Sequence, residues 1–299
     1  MDEIEYTQTL DNCRFCVMCR QVCPVGQATK RESAYPRSVA FAVYTVERGI
    51  VPASAEAHRR LIANCTLCGA CDESCITRQN LSELILTARG KAVAAGYACD
   101  GAEAVKKNIQ SYGNPFGEAV VSQRFAPHGT TKDASVAFFP GCTALFQQPD
   151  ICESALRVLQ ALKLNFTALP EIDCCGSPLK GLGFTPDFHQ HGKTLVRALE
   201  GMGIKKVLTV CAGCTVTIQE HLRQQPPAGI QVIHISDYLN ELARAGGVRF
   251  ADQGGRKVHL HSPCRMSRTI KRTDPNIELL GRIPGVVVEA RPLPSSTRM

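Results

Sequence analysis

The chain has 299 residues, of which 44% are hydrophobic and 20% are charged, and its formal net charge is +7 at neutral pH. This length suits about two domains, and the composition excludes a disordered, collagen-like or low-complexity protein. Aromatic residues make up only 6%, tryptophan is absent, and aromatic and basic residues do not interleave, so the positive charge does not indicate a nucleic-acid partner.

The sequence predicts a cytoplasmic protein. It contains no apolar run long enough to form a transmembrane segment. The first five residues carry three acids where a secretory signal carries basic residues. We expect any attachment to the inner face of the membrane to be peripheral and to pass through a partner.

Residues 1–117 are predicted to form a helical domain. Helices are expected over residues 37–48, over 55–64 after Ser54 as N-cap, and over 81–95 after Asn80 as N-cap. A stretch of glycine, proline and polar residues then predicts a linker over residues 118–133.

Residues 134–299 are predicted to form an α/β domain with a mainly parallel sheet, because short β-branched runs alternate with amphipathic helical stretches. The predicted strands are residues 135–139, 166–169, 206–210, 231–235, 257–261 and 286–289. The predicted helices are residues 150–162, 186–202, 216–223, 236–245 and 263–273. A weak internal repeat is visible, since Cys142 and Cys264 each follow a strand and precede a helix and another strand.

Two cysteine runs in the helical segment have identical spacing. The first is Cys-x2-Cys-x2-Cys-x3-Cys from Cys13 to Cys23 and ends in Pro24, and the second runs from Cys65 to Cys75 and ends in Ile76. Such runs are typical of bacterial ferredoxins, in which three close thiolates bind one cubane and the fourth cysteine ligates the other cluster. We therefore predict two 4Fe-4S clusters, one held by Cys13, Cys16, Cys19 and Cys75 and the other by Cys65, Cys68, Cys71 and Cys23. Structural zinc is the alternative, but it prefers two separated pairs of ligands.

Five cysteines in the second segment are predicted to meet at one edge of the sheet, because loops at the carboxyl ends of parallel strands share one crevice. They are Cys142, Cys174, Cys175, Cys211 and Cys214. Adjacent cysteines suit a larger sulfide cluster better than a single zinc ion, so we predict a metal-cluster site. A structural zinc site and a dithiol switch at Cys211 and Cys214 are the alternatives.

These motifs resemble those of known redox proteins. The two runs are similar to the α-helical ferredoxin module of succinate dehydrogenase iron-sulfur subunits and heterodisulfide reductases. The Cys174-Cys175-Gly176 motif resembles the CCG domain of the heterodisulfide reductase and glycolate oxidase iron-sulfur subunit families, in which a ferredoxin module usually precedes the CCG domain. The resemblance implies an α-helical ferredoxin-like domain followed by a CCG domain, with two cubanes that pass single electrons and one non-cubane 4Fe-4S cluster at the CCG motif.

The resemblance also implies a function. We expect the iron-sulfur electron-transfer subunit of an oxidoreductase complex, whose flavoprotein partner oxidises a 2-hydroxy acid such as glycolate or lactate. The chain has no Gly-x-Gly-x-x-Gly motif and no complete P-loop, so we expect it to bind neither flavin nor nucleotide itself. The alternatives are a heterodisulfide reductase-type subunit that cleaves a disulfide at the CCG cluster, and a structural zinc protein. No residue is assigned a catalytic role.

Family members with two CCG motifs repeat the five-cysteine set, and Cys264 resembles the start of a second copy. At the spacing of the first copy, the second doublet would fall on Ser296 and Thr297. We therefore expect the second CCG motif to be missing and Cys264 to hold no cluster. Either the chain uses only its first CCG centre or a companion polypeptide completes the second half, and the exposed strand edge after residues 286–289 favours the companion.

Overall fold

The computed structural model describes residues 1–119, 134–168, 174–225, 229–271 and 273–289. These residues fall into two compact units, of which the first includes Met1–Ala104 and Pro178–Thr185, and the second includes Val105–Ser177 and Pro186–Arg291. The predicted linker over residues 118–133 lies outside the described residues except for its first two positions.

The first unit is helical. Its helices are α1 (Glu3–Asn12), α2 (Pro24–Thr29), α3 (Pro36–Glu47), α4 (Glu56–Ala63), α5 (Ala70–Glu73) and α6 (Leu81–Ala94), with 3-10 turns at Met18–Arg20 and Glu32–Ala34. The three predicted helices are confirmed as α3, α4 and α6, and the Asn80 side chain caps α6 by accepting a hydrogen bond from the N–H of Glu83. The predicted Ser54 cap is wrong, because α4 begins at Glu56 after Ala55 without a side-chain cap.

Apolar side chains from α1, α3, α4 and α6 form the core of this unit. They include Tyr6, Leu10, Val39, Val43, Ile62, Leu84 and Ile85, all of which are buried. Two of the ferredoxin-run cysteines, Cys19 and Cys71, belong to the same buried cluster. The loops that carry the two cysteine runs therefore contribute to the hydrophobic core of the helical unit.

The second unit is built on a parallel sheet. Its strands are β1 (Val136–Phe139), β2 (Thr167–Ala168), β3 (Lys206–Thr209) and β4 (Gln231–His234), in the order β2-β1-β3-β4. Its helices are α7 (Ala102–Tyr112), α8 (Pro149–Ala161), α10 (Thr185–Gly201), α11 (Ala212–Gln224) and α12 (Ile235–Arg244). The first residues of α7 belong to the first unit, as does all of α9 (Ser177–Leu182) except Ser177.

Successive residues of the strands enter two different cores. Ala137 and Val207 pack on one side of the sheet, whereas Phe138 and Leu208 pack on the other. This alternation follows from the two-residue repeat of a strand, and both faces are apolar because helices cover both. The predicted fold class, a helical ferredoxin-like part followed by a parallel α/β part, is confirmed.

A second, smaller sheet repeats part of the first. Strands β5 (Arg256–His259) and β6 (Val286–Glu289) pair in parallel, with α13 (Thr273–Gly281) between them. Cys142 and Cys264 each precede a five-residue π-helical turn, Thr143–Gln147 and Arg265–Thr269. The residue pairs Ala137–Thr167 and Arg256–Val286 have the same separation along the chain. The repeat indicated by the sequence is therefore also present in the backbone.

The helix predicted over residues 263–273 is wrong, because the π-helical turn occupies its centre and α13 begins only at Thr273. Ser296 and Thr297, where a second doublet would fall, lie outside the described residues. No helix in the part of the chain that the structure describes combines the length and the apolar character needed to cross a bilayer.

Candidate iron-sulfur sites

The cysteines of the first run lie near Cys75, the last cysteine of the second run. Cys13 follows the last residue of α1, and its backbone N–H donates to the carbonyl of Thr9. Burial raises the pKa of the Cys13 thiol, and the nearby Cys75 and Cys16 thiols add to the rise. Burial likewise raises the pKa of Cys19 to about 11. Cys13, Cys16, Cys19 and Cys75 therefore interact as one group of thiols.

The second run lines a cavity of about 390 Å³, which includes its open mouth. Four cysteines contribute to the walls, Cys23, Cys65, Cys68 and Cys71, together with apolar residues such as Ala34, Pro36, Val39 and Ile85. Burial raises the pKa of Cys65, and the neighbouring Cys68 and Cys23 thiols add to the rise. Burial also raises the pKa of Cys71 far above its usual range.

Backbone N–H groups point at several of these sulfurs. The N–H of Leu67 lies 3.3 Å from the Cys65 sulfur, that of Gly26 lies 3.4 Å from the Cys23 sulfur, and that of Gln79 lies 3.3 Å from the Cys75 sulfur. Such donors stabilise thiolates over thiols.

Phe15 and Leu67 occupy equivalent positions in the two runs, and both have left-handed backbone, with φ of 47° and 53°. Phe15 makes edge-to-face contacts with Phe41 and Tyr44, and both Phe15 and Leu67 pack against the core of the helical unit. Core packing thus holds each loop in a conformation that non-glycine residues rarely adopt.

The donor sets fit iron-sulfur clusters. Burial keeps thiols such as Cys19, Cys65 and Cys71 protonated, so thiolates in these places need a bound cationic centre. Thiolates with N–H donors around them are the ligands that 4Fe-4S clusters use. Among the described residues, no three His, Cys, Asp or Glu side chains are placed so that they could bind a single metal ion.

The five cysteines of the second unit meet at the carboxyl edge of the parallel sheet. Cys142 follows β1, Cys211 and Cys214 lie at the start of α11 directly after β3, and the Cys174-Cys175 doublet precedes α9. The Cys142 and Cys174 sulfurs are 3.9 Å apart. Cys175 lies within hydrogen-bond range of Cys174 and Cys214, and Cys214 within range of Cys211. The five thiols form one continuous cluster.

Hydrogen bonds between these thiols shift their pKa values in opposite directions. The pKa of Cys175 falls because Cys174 and Cys214 donate to it, and that of Cys211 falls to about 7 because Cys214 donates to it. The pKa of Cys174 rises because of its hydrogen bonds with Cys142 and Cys175, and that of Cys214 rises because of its hydrogen bonds with Cys175 and Cys211. This buried site therefore favours thiolates at Cys175 and Cys211.

Two glycines make room for the thiols and for the doublet. Gly141 has a φ of +81°, and a Cβ there would lie 2.7 Å from the Cys214 sulfur. Gly176 has a φ of +85°, and a Cβ there would lie 2.8 Å from the ring of His191. Both glycines are required by backbone conformation and by space.

Two histidines support the doublet through its peptide groups. The Nε2–H of His191 donates to the Cys174 carbonyl at 2.8 Å, and that of His221 donates to the Cys175 carbonyl at 3.0 Å. His221 is fully buried, lies 4.4 Å from the ring of Phe188, and its pKa is lowered by burial, so it is neutral. Cysteine spacing gave no signal for either histidine, because both contacts depend on the tertiary fold.

The remaining cysteines lie elsewhere. Cys152, on α8, is buried in the core, whereas Cys99 and Cys264 are partly exposed. Of these three cysteines, Cys152 alone is buried.

Comparison with known proteins identifies both halves of the chain. Residues 9–78 match the 4Fe-4S dicluster domain family, and residues 136–219 match the cysteine-rich CCG domain family. The chain is therefore an iron-sulfur protein that joins a 4Fe-4S dicluster domain to a CCG domain. No solved structure matches it.

Its homologues are heterodisulfide reductase subunits and related iron-sulfur proteins. The chain is 30% identical to a dihydromethanophenazine:CoB–CoM heterodisulfide reductase subunit of Methanosarcina acetivorans over 240 residues, which are 75% of this chain and 58% of that protein. It is 27% identical to a fumarate reductase (CoM/CoB) subunit of Methanothermobacter marburgensis over 95% of this chain and 58% of that protein. It is 31% identical to an anaerobic glycerol-3-phosphate dehydrogenase subunit of Escherichia coli K12 over 50% of this chain and 40% of that protein. The chain thus spans about three fifths or less of the length of these relatives.

Proposed function

We propose that the chain is the iron-sulfur electron-transfer subunit of an oxidoreductase complex. The observation that supports this most strongly is the cavity lined by Cys23 together with Cys65, Cys68 and Cys71. Cys75 in turn interacts with Cys13. An exchange of the fourth cysteine between two runs is the ligand pattern of two-cluster ferredoxins.

In this proposal one cubane is held by Cys13, Cys16, Cys19 and Cys75 and the other by Cys23, Cys65, Cys68 and Cys71. When bound, the clusters supply one-electron transfer. The chain's own residues bury Cys19 and Cys71, donate backbone N–H groups to the sulfurs of Cys23 and Cys65, and fix the loops against the helical core.

A third, non-cubane 4Fe-4S cluster is proposed at Cys142, Cys174, Cys175, Cys211 and Cys214. Its support is the continuity of the five thiols at the carboxyl edge of the parallel sheet. His191 and His221 hold the doublet through its carbonyls and so fix the direction of both sulfurs.

The proposed partner is a flavoprotein that oxidises a 2-hydroxy acid such as glycolate or lactate. The chain lacks a dinucleotide-binding motif, so a partner must supply the flavin. Relatives named as components of a fumarate reductase and of a glycerol-3-phosphate dehydrogenase support a complex of this kind.

Disulfide cleavage at the CCG site is a second candidate function. Its support is the relatives named as heterodisulfide reductase subunits and the partial exposure of Cys211, the one thiol of the five that is not buried. Formation of thiols from a disulfide by the isolated, chemically reduced chain would favour this second function. Its absence would favour electron transfer to a partner.

Metal analysis of the full chain tests the proposal. After anaerobic purification we expect iron and acid-labile sulfide in the amounts of three 4Fe-4S clusters, with two cubane-type paramagnetic signals on reduction. About two metals per chain or fewer, without acid-labile sulfide, would instead establish the structural zinc alternative.

A further inference from the structure

Arg89 is a buried cation beside the second cysteine run. Its side chain, on α6, is only 6% exposed. The guanidinium donates to four backbone carbonyls, those of Ile62 at 2.8 Å, Ala63 at 3.0 Å, Gly181 at 2.7 Å and the ligand residue Cys65. All four acceptors belong to the same compact unit as Arg89.

These carbonyls accept the hydrogen bonds of Arg89, but they carry no net negative charge that would neutralise the guanidinium. No carboxylate lies within ion-pair distance of Arg89 among the residues that the structure describes. A buried charge without an ionic partner is costly, and the carbonyl end of α4 offsets only part of that cost. The simpler explanation, that Arg89 only caps α4, leaves the choice of a permanent cation unexplained.

The cysteine ligands of the second cluster supply the negative charge that would pair with Arg89. Arg89 donates to the carbonyl of Cys65, which lines the cavity, so its positive charge favours negative charge at this cavity. A 4Fe-4S core with four thiolate ligands is an anion, and one-electron reduction adds a further negative charge. A fixed cation nearby therefore stabilises the reduced form more than the oxidised form.

The other thiol group has no such cation, because Arg89 is the one arginine or lysine that is buried among the described residues. The pKa shifts of the Cys13 and Cys19 thiols come from burial, backbone N–H groups and neighbouring thiols. The arginine nearest to Cys13 in sequence, Arg14, is exposed, where water and salt screen its charge.

We propose that Arg89 raises the reduction potential of the cluster held by Cys23, Cys65, Cys68 and Cys71 above that of the cluster held by Cys13, Cys16, Cys19 and Cys75. This inference rests on the proposed cluster assignment. The second cluster is then where a single electron resides at equilibrium between the two cubanes.

Redox titration of the full chain, followed by paramagnetic resonance, tests this role. The Cys68→Ser variant identifies which cubane signal belongs to the second cluster. We expect Arg89→Gln to lower the midpoint potential of that signal alone, and Arg89→Lys, which keeps the charge but loses most carbonyl bonds, to stay close to the parent chain. Arg60→Gln is the control, because Arg60 is a 75% exposed cation on α4, and both potentials should stay unchanged.

The outcomes separate the possible failures. Equal potentials of the two cubanes in the parent chain, or a shift of both signals in Arg89→Gln, would overturn the role of Arg89. A shift in Arg89→Lys as large as in Arg89→Gln would assign the effect to the hydrogen bonds rather than the charge and would also overturn it. If Arg89→Gln loses the cluster, the potential of Arg89→Lys decides: a value close to that of the parent chain supports the role of the charge, and a clearly lower value overturns it. A chain without 4Fe-4S clusters would refute the proposed function itself.

Discussion

The two ferredoxin-type runs have the same cysteine spacing, but the residues around the first are exposed whereas those around the second line a cavity. Between its second and third cysteines the first run has Val17 and Met18, which are 52% and 48% exposed. The second run has Gly69 and Ala70 in those places, and both line the cavity.

The residues after the fourth cysteines differ in the same way. Ile76, after Cys75, is 75% exposed. Pro24, after Cys23, begins α2 and lines the cavity. Cys16 itself is exposed, whereas its counterpart Cys68 is half-buried. Spacing thus selects the ligands, and the residues between and after the cysteines decide whether solvent or a partner can approach. We expect partner contact at the first site and insulation at the second.

Removal of one ligand from each run should have the largest effect. Cys16→Ser and Cys68→Ser should each lose one cubane, so that iron and sulfide fall by about one third, and each should destabilise the helical unit because bound metal contributes folding free energy. Cys68→Ser should lower the melting temperature more, since its cluster fills a cavity in the core. Cys152→Ser, buried away from the sites, is the control and should leave the iron content unchanged.

Exchange of the intervening residues tests the comparison directly. Gly69 has a φ of 74°, so Gly69→Val adds about 1–2 kcal/mol of backbone strain and places a side chain in the cavity. We expect loss of the second cubane signal and retention of the first. The mirror variant, Val17→Gly, should retain both signals. Two intact signals in Gly69→Val would show that the second site is as tolerant as the first.

Crowding should matter equally at the CCG site. Gly141→Ala places a Cβ against the Cys214 sulfur, so we expect it to alter or abolish the third cluster's signal while both cubanes remain. Gly203→Ala is the matched control, because Gly203 has a φ of +68° with nothing within 4 Å of a Cβ. If Gly141→Ala left the third cluster's signal as unchanged as Gly203→Ala does, contact with the Cys214 sulfur would not limit this position.

The smallest effect is expected at the exposed rim of the first site. Met18→Ser and Ile76→Ser should retain all clusters, yet slow reduction by the proposed flavoprotein partner by several-fold, because apolar contact area is lost. Ile50→Ser, at a 67% exposed position outside the cysteine runs, is the control. An equal decrease in the control would remove the distinction between the rim and the rest of the surface.

Local signals account for what the sequence could predict. Periodicity with the Asn80 cap predicted α6, and cysteine spacing predicted the ferredoxin-like module that the match of residues 9–78 to the 4Fe-4S dicluster family supports. The helix over residues 263–273 failed because Pro275 fits the first turn of a later helix, α13, and the residues before it form the π-helical turn.

The supporting residues had no local signal. His191, His221 and Arg89 act on carbonyls that lie 17, 46 and 27 residues away along the chain. Only the tertiary fold brings these side chains to their acceptors, so spacing within a motif cannot identify them.

The left-handed turns at Phe15 and Leu67 have a consequence for thermal behaviour. Both side chains are anchored in the hydrophobic core of the helical unit, so a turn can relax only when that core loosens, and an intact core keeps the turn in place around its cysteines. Heating should therefore bleach the visible absorption of the two cubanes and melt the helices at a single temperature, as one cooperative transition.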